Sequence, residues 1–397
     1  MELPLSDQKF MIPKYSLTGD LLAFLRCPRM YRYNNMAKLP PSRPVQMWPG
    51  EFIHGVMGEA YLKWRDQQQL RRFPWDWEQD IRPIELEVYR RLLLKNLGPP
   101  YRMFCYRAPG DPQGYCRDDR HPHMAQASRW ASEAINQWGQ YLFPLISSNE
   151  VKLEGLEEMP PQGQERSRYY SITGVADVIS RMRGDQASAA NPLTIRIERE
   201  FAPQIALTVD GEYEIIIDYK GMYRPALNDP ETTYHRWQIL TYAWLRSQLP
   251  GAKRVIGGIL FYLNELDPSN TARENIRSQV QENNTDVMPE PAERQELIAD
   301  PLAWVPTNAY RLERSIRMVM IDEQAIDQSR SAFRDVVARI ESCVQSEIRD
   351  GAIMSSWQPT DVRNIPTRPR RRDCTACDAN TFCPDANPSI YPVRSIR

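Results

Sequence analysis

The sequence predicts a mixed α/β fold, and three observations carry that expectation. Residues 169–179 (YYSITGVADVI) are rich in β-branched side chains around a central glycine. Residues 206–217 read as two β arms turning at Asp210-Gly211. A helical stripe over 234–248 then runs into the apolar, strand-sized stretch 255–263. With residues 193–200, which alternate apolar and charged side chains, the middle of the chain reads strand, strand, strand, helix, strand.

The remaining elements follow from periodicity. Residues 16–33 predict a short capped helix running into Cys27-Pro28. From Glu51, the positions Phe52, Ile53, Val56, Met57, Ala60, Tyr61 and Trp64 recur at helical spacing, with His54 off the centre of the stripe. Residues 84–94 predict a further helix, and Met124, Ala127, Ala131, Ile135, Trp138 and Leu142 mark another. Residues 151–157 suit a strand. Residues 267–306 are polar and predict an inserted loop or helical excursion. Tyr310, Leu312, Ile316, Met318 and Met320 alternate like a strand, and Ile326 to Val344 spaces its apolar residues like a long helix. The expected organisation is an N-terminal helical region (1–150), a core (151–265), an insertion with a strand and long helix (266–356), and an Arg-rich, cysteine-bearing tail (357–397).

Composition narrows the function classes. With 397 residues the chain is long enough for about two or three structural units. Its 50 Lys+Arg against 51 Asp+Glu exclude a globally basic nucleic-acid coat, so polyanion binding requires a local patch. No apolar run reaches the ~20 residues of a membrane helix, and the start lacks a basic-then-apolar secretory pattern. The expected compartment is the cytoplasm, where cysteines serve more often as metal ligands or filler than as disulfides. There is no GxxxxGK[ST] phosphate loop, hence no ordinary NTPase motor.

Two residues apart on one expected strand, Asp218 and Lys220 project from the same face. Asp177 ends the neighbouring strand-like run. Carboxylates converging from adjacent strands make a hard oxygen site for Mg²⁺, and Lys220 can orient a nucleophile or stabilise developing charge. Gln238 and Tyr242, four apart, share a face of the following helix. The plainer readings are a solvated ion pair for Asp218–Lys220, a packed core histidine for His54, and surface residues for Gln238 and Tyr242.

In order, His54, Gly174-x-x-Asp177, Asp218-Tyr219-Lys220 and Gln238-x-x-x-Tyr242 resemble the PD-(D/E)XK nuclease superfamily, more narrowly its RecB-like branch. The resemblance implies a restriction-endonuclease-like mixed β-sheet flanked by helices. It implies that His54, Asp177, Asp218 and the backbone carbonyl of Tyr219 bind Mg²⁺ or Mn²⁺, that Lys220 assists the attacking water, and that Gln238 and Tyr242 position DNA or the catalytic groups. Glu154 is the candidate for a further carboxylate on the preceding strand.

Cys374-x-x-Cys377-x5-Cys383-Pro384 supplies three sulfur ligands in the tail, a spacing that serves zinc or an iron–sulfur cluster. Cys27, in a Cys-Pro context, is the favoured fourth; His235 and Cys343 are alternatives. The plainer reading is a zinc knuckle with Cys27 as a small buried residue. RecB-like members such as the AddB nuclease and CRISPR-associated adaptation nucleases are similar in having one cysteine before the core and three after it. That resemblance implies a 4Fe–4S cluster on Cys27, Cys374, Cys377 and Cys383, clipping the tail to the N-terminal region; Cys105, Cys116 and Cys343 read as filler.

For polyanion contact, Arg368, Arg370, Arg371 and Arg372 precede Cys374 directly, with Arg71-Arg72 and Arg90-Arg91 as further candidates. Trp48, Trp75, Trp77, Tyr101 and Tyr106 are candidate stacking residues. The expected activity is phosphodiester hydrolysis of single-stranded or end-bearing DNA, exonuclease-like, beside a separate helicase or in a repair or defence complex. The alternative expectations are a non-catalytic DNA- or partner-binding subunit and an iron–sulfur redox protein.

Overall fold

The computed structural model describes residues 12–36, 47–106, 124–183, 191–208 and 210–359, together with Cys374, Cys377, Ala379 and Cys383. Strand β1 (Lys14–Ser16) leads into a helical stretch, Leu17–Leu22, and two four-residue helices, α1 (Ala23–Arg26) and α2 (Pro28–Tyr31). The single helix expected over 16–33 is broken at Cys27. Pro28 bars the preceding residue from helical dihedrals. Cys27 is extended (φ −160°), and its Sγ accepts the Met30 N–H as a cap.

Three helices follow: α3 (Trp48–Asp66), α4 (Arg82–Leu94) and α5 (Gln126–Leu142). Their apolar stripes bury Phe52, Val56, Ile84, Val88, Ala131 and Ile135. Strands β2 (Ser148–Glu158) and β3 (Tyr169–Arg183) pair antiparallel from Ser148↔Ile179 to Glu158↔Tyr169.

Residues 193–200, expected as a strand, form helix α6 (Pro192–Glu200). Asn191 Oδ1 accepts the Leu193 and Thr194 N–H groups, and Pro192 occupies the first turn, where its missing N–H costs nothing. Leu193 and Ile197, four apart, are buried, whereas Ile195 is 48% exposed; the working period is helical. The expected hairpin about Asp210-Gly211 is absent too. Its first arm continues from the short helix α7 (Ala202–Ile205) in helical turns. Gly211, at φ +65°, leads only into β4 (Glu212–Lys220), whose partners are β3, antiparallel, and β5, parallel.

Helix α8 (Pro230–Ser247) and strand β5 (Val255–Tyr262) complete the central unit. The insertion is helical: α9 (Asn270–Gln281), α10 (Pro291–Ala299) and α11 (Asn308–Ser315), the last replacing the first half of the strand expected over 310–320. Strand β6 (Ile316–Met320) and the long helix α12 (Glu323–Asp350) follow.

The six-stranded sheet runs β1-β3-β4-β5-β6, with β2 on the other edge of β3. Side chains alternate across β4. Ile215, Ile217 and Tyr219 pack with α3, α4 and α5, while Ile216 packs with α8 and α12 on the opposite face. The result is a helix–sheet–helix sandwich, a mixed α/β architecture consistent with a restriction-endonuclease-like fold. Among the described residues no helix is long and apolar enough to cross a membrane.

Candidate active site

The site forms where two strands part. Strands β3 and β4 pair from Arg183↔Glu212 to Val178↔Ile217, and there the ladder ends. The next residues on each strand are Asp177 and Asp218. Asp177 Oδ2 accepts the Tyr219 N–H at 2.7 Å, so a side chain replaces the lost ladder bond and holds the notch open. Asp177 Oδ1 lies 3.2 Å from His54 Nδ1 on α3. The His54 ring stands edge-on to Tyr219, with centroids 6.1 Å apart.

Asp218 and Lys220 lie on the α8 face. Lys220 Nζ is 2.5 Å from Asp218 Oδ2 and donates to Gln238 Oε1 at 2.7 Å. Gln238 Nε2 donates to Asp218 Oδ1 at 3.1 Å and to the Tyr242 hydroxyl at 3.0 Å. Gln238 therefore grips both charges of the Asp-x-Lys pair, and Tyr242 fixes Gln238. The Tyr242 ring rests on Gly174, where any Cβ would stand 2.6 Å from Cε1. Gly221 makes the second close approach, placing β4 against the Gly50 backbone of α3.

Burial governs the charges. Asp218 is 1% exposed, and burial pushes its carboxyl up; Lys220 opposes this, Asp177 adds to it, and His54 opposes it. For His54, burial pulls the imidazole down, but Asp177 outweighs it and raises the ring to about 8. Among the described residues, Asp218 Oδ2 is engaged by Lys220 Nζ alone.

The donor set fits a divalent cation. Asp177 and His54 line a cleft of about 670 Å³, with Tyr219, Lys220, Glu150 and His235, and Asp218 lies buried behind it against Lys220. Among the described residues no three His, Cys, Asp or Glu side chains already stand round a common metal position. Here Asp177 holds His54 and Tyr219, and Asp218 holds Lys220 and Gln238.

Other sequence candidates fall elsewhere. Glu154 pairs with Lys14 at 2.9 Å and does not line the cleft. Glu150 does. It sits across from Asp177 between the pairs Asn149↔Val178 and Val151↔Ala176, at φ +50°. Nothing in its sequence context marks it. Trp48 and Trp75 are buried in the core, and Tyr106 stacks on Tyr89. Tyr101 is 85% exposed. Arg71 lies over Trp64, and Arg91 pairs with Glu59. Arg368, Arg370, Arg371 and Arg372 lie outside the described residues.

Cys27, Cys374, Cys377 and Cys383 are part-buried, take part in no disulfide, and lie within electrostatic reach of one another. Burial first, then the neighbouring Cys383 and Cys374, push Cys27 up, while the Met30 and Arg29 N–H groups pull it down. Cys377 is pushed up to about 11 by burial, with the other three cysteines adding to the rise. Peptide N–H groups reach the sulfurs of Cys27 and Cys377, as they do at thiolate ligands, but among the described residues no three of the four cysteines stand round a common metal position. Cys105, expected to be filler, is disulfide-bonded.

Residues 205–384 match the family model of the PD-(D/E)XK nuclease superfamily. The match spans just under half of the chain and includes Asp218, Lys220, Gln238, Tyr242 and the three tail cysteines; His54, Asp177 and Cys27 precede it. None of the curated proteins compared with the chain matches it. A PD-(D/E)XK nuclease domain points to phosphodiester hydrolysis, and nucleases of this superfamily generally use divalent metals such as Mg²⁺ or Mn²⁺.

Proposed function

We propose that the chain is an Mg²⁺- or Mn²⁺-dependent deoxyribonuclease of the RecB-like branch, cutting single-stranded or end-bearing DNA. The observation that supports this most is the parting of β3 and β4 at Val178↔Ile217, with Asp177, Lys220 and His54 lining one cleft and Asp218 buried against Lys220. His54, Asp177, Asp218 and the Tyr219 carbonyl are the residues that would hold the cation. A cation there would neutralise phosphate charge and lower the pKa of water enough to supply hydroxide as the nucleophile. Lys220 orients the attacking water and stabilises charge on the phosphate. Gln238 keeps Lys220 and Asp218 in register, and Tyr242 keeps Gln238 in place.

We further propose that Cys27, Cys374, Cys377 and Cys383 hold a 4Fe–4S cluster as a structural clasp, supported by the electrostatic reach between Cys27 and the three tail cysteines. Closing so long a loop removes unfolded-state entropy, by analogy with long disulfide loops at about 4–5 kcal/mol. Arg368, Arg370, Arg371 and Arg372 then supply the local positive field, and the protein works in the cytoplasm beside a separate helicase or in a repair or defence complex. The test of the catalytic reading incubates labelled single- and double-stranded DNA with Mg²⁺ or Mn²⁺ and either wild type or Asp218→Ala. Product from wild type alone supports the assignment. Equal product from both proteins sinks it, and product from neither leaves a DNA- or partner-binding role. Anaerobic purification with iron, sulfide and zinc analysis tests the clasp.

A further inference from the structure

The segment carrying Cys27 touches the catalytic helix through one neighbour. Arg26 Nε and Nη2 donate to Glu231 Oε1 and Oε2, both at 3.1 Å, in a two-pronged ion pair. Glu231 lies in the first turn of α8 and is 5% exposed. One turn on, His235 Nε2 is 3.4 Å from Glu231 Oε2, and its Nδ1 is 3.1 Å from the Tyr262 hydroxyl. Tyr262 stands opposite Lys220 in the β4–β5 ladder. His235 lines the cleft, and Gln238 follows it by three residues.

His235 has both ring nitrogens engaged, one by Glu231 and one by the Tyr262 hydroxyl, which fixes the ring. Glu231 is fixed from one side by Arg26 and holds His235 on the other. The contacts therefore run from Arg26, next to Cys27, through Glu231 and His235 to Tyr262, opposite Lys220.

We propose that Arg26, Glu231 and His235 are positioning residues that transmit the closed state of the cysteine cluster to α8 and so hold Gln238 and Lys220 in working register. The upstream end of this link rests on the clasp reading above. With the cluster lost, Arg26 loses its fixed origin. The first turn of α8 loosens, and cleavage falls although every catalytic side chain is present.

The test measures hydrogen exchange across residues 230–238, together with kcat, KM for DNA, and metal and sulfide content, in wild type, Arg26→Ala and Arg26→Lys. Losing a charge-assisted bond of this kind predicts that Arg26→Ala exchanges about tenfold faster over 230–238, with a similar fall in kcat. KM and the metal content stay at wild-type values, and Arg26→Lys recovers part of both losses. Stripping the cysteine-bound metal from wild type produces the same local rise. Wild-type exchange over 230–238 in Arg26→Ala overturns the proposal. So does faster exchange spread equally over α3 and α12, which marks general destabilisation. A wild type with no metal on its cysteines, in which Arg26→Ala still loosens α8, overturns the clasp and leaves the Arg26–Glu231 tie standing.

Discussion

Replacing Gly174 with alanine places a Cβ 2.6 Å from Tyr242 Cε1 and 3.3 Å from Cδ1. Ordinary contact begins near 3.4 Å, so the ring must retreat by about 0.8 Å or β3 must bend away. Tyr242 is 2% exposed, wedged between α8 and the sheet, and has little room to yield. A retreat of that size stretches the 3.0 Å bond from Gln238 Nε2 to the Tyr242 hydroxyl beyond hydrogen-bond length. Overpacking at about 1–3 kcal/mol and one lost buried bond at about 1 kcal/mol give an expected destabilisation of about 2–4 kcal/mol. The kinetic effect follows from Gln238, which loses its anchor while still bonded to Asp218 and Lys220. A misplacement approaching 1 Å in such a site lowers the rate by about 10²-fold. Urea unfolding and single-turnover cleavage of labelled DNA, measured on the same preparation, read both numbers. A folded Gly174→Ala protein cleaving within about twofold of wild type would refute the idea that Tyr242 acts through Gln238.

The other predictions concern charge. Burial pushes the Asp286 carboxyl up, but bonds from Arg224 and Arg317 outweigh it and hold the group well below the usual carboxylate range. Its stabilising contribution is therefore full above the ordinary Asp value of about 4 and is lost as pH falls below it towards the folded-state value; urea midpoints should drop on acidification, and Asp286→Asn should flatten that dependence. His54, protonated up to about 8 without metal, must lose its proton to bind a cation. Calorimetric titration with Mn²⁺ should show proton release and an affinity falling about tenfold per pH unit below that value. Arg314 and Glu265 are each 1% exposed and 2.8 Å apart, so Arg314→Met strands a buried carboxylate and should cost about 3–5 kcal/mol in urea unfolding.

How far the sequence foretold this molecule depends on whether the information was local. The helices α3, α5, α8 and α12 announce themselves because an apolar stripe three to four residues apart has one reading when it runs for three turns or more. Residues 193–200 fit both periods, since Leu193, Ile195 and Ile197 alternate while Leu193 and Ile197 also sit four apart; only the burial of two and the exposure of Ile195 separate them. Asp210-Gly211 carries a real turn signal, but what precedes it is the end of a helix, and no local pattern reveals a missing strand.

At the site, Asp177, Asp218, Lys220, Gln238 and Tyr242 stand in recognisable order along the chain, and the structure brings them together. What no spacing shows is why they meet. The ladder stops at Val178↔Ile217, and Gly174 and Gly221 admit Tyr242 and α3 closely enough to touch. Glu150 enters the cleft because the register of β2 against β3 leaves it across from Asp177, a relation between two strands rather than a property of either.

The central claim is that Asp177, outside the residues matched to the superfamily, belongs to the catalytic set. The most direct measurement is single-turnover cleavage of end-labelled single-stranded DNA at saturating Mn²⁺ by wild type and Asp177→Asn, with circular dichroism confirming both folds. The expected fall is at least about 10³-fold, since losing this carboxylate removes cation charge compensation and the His54 contact together. A folded Asp177→Asn enzyme cutting at a rate within about tenfold of wild type would contradict it.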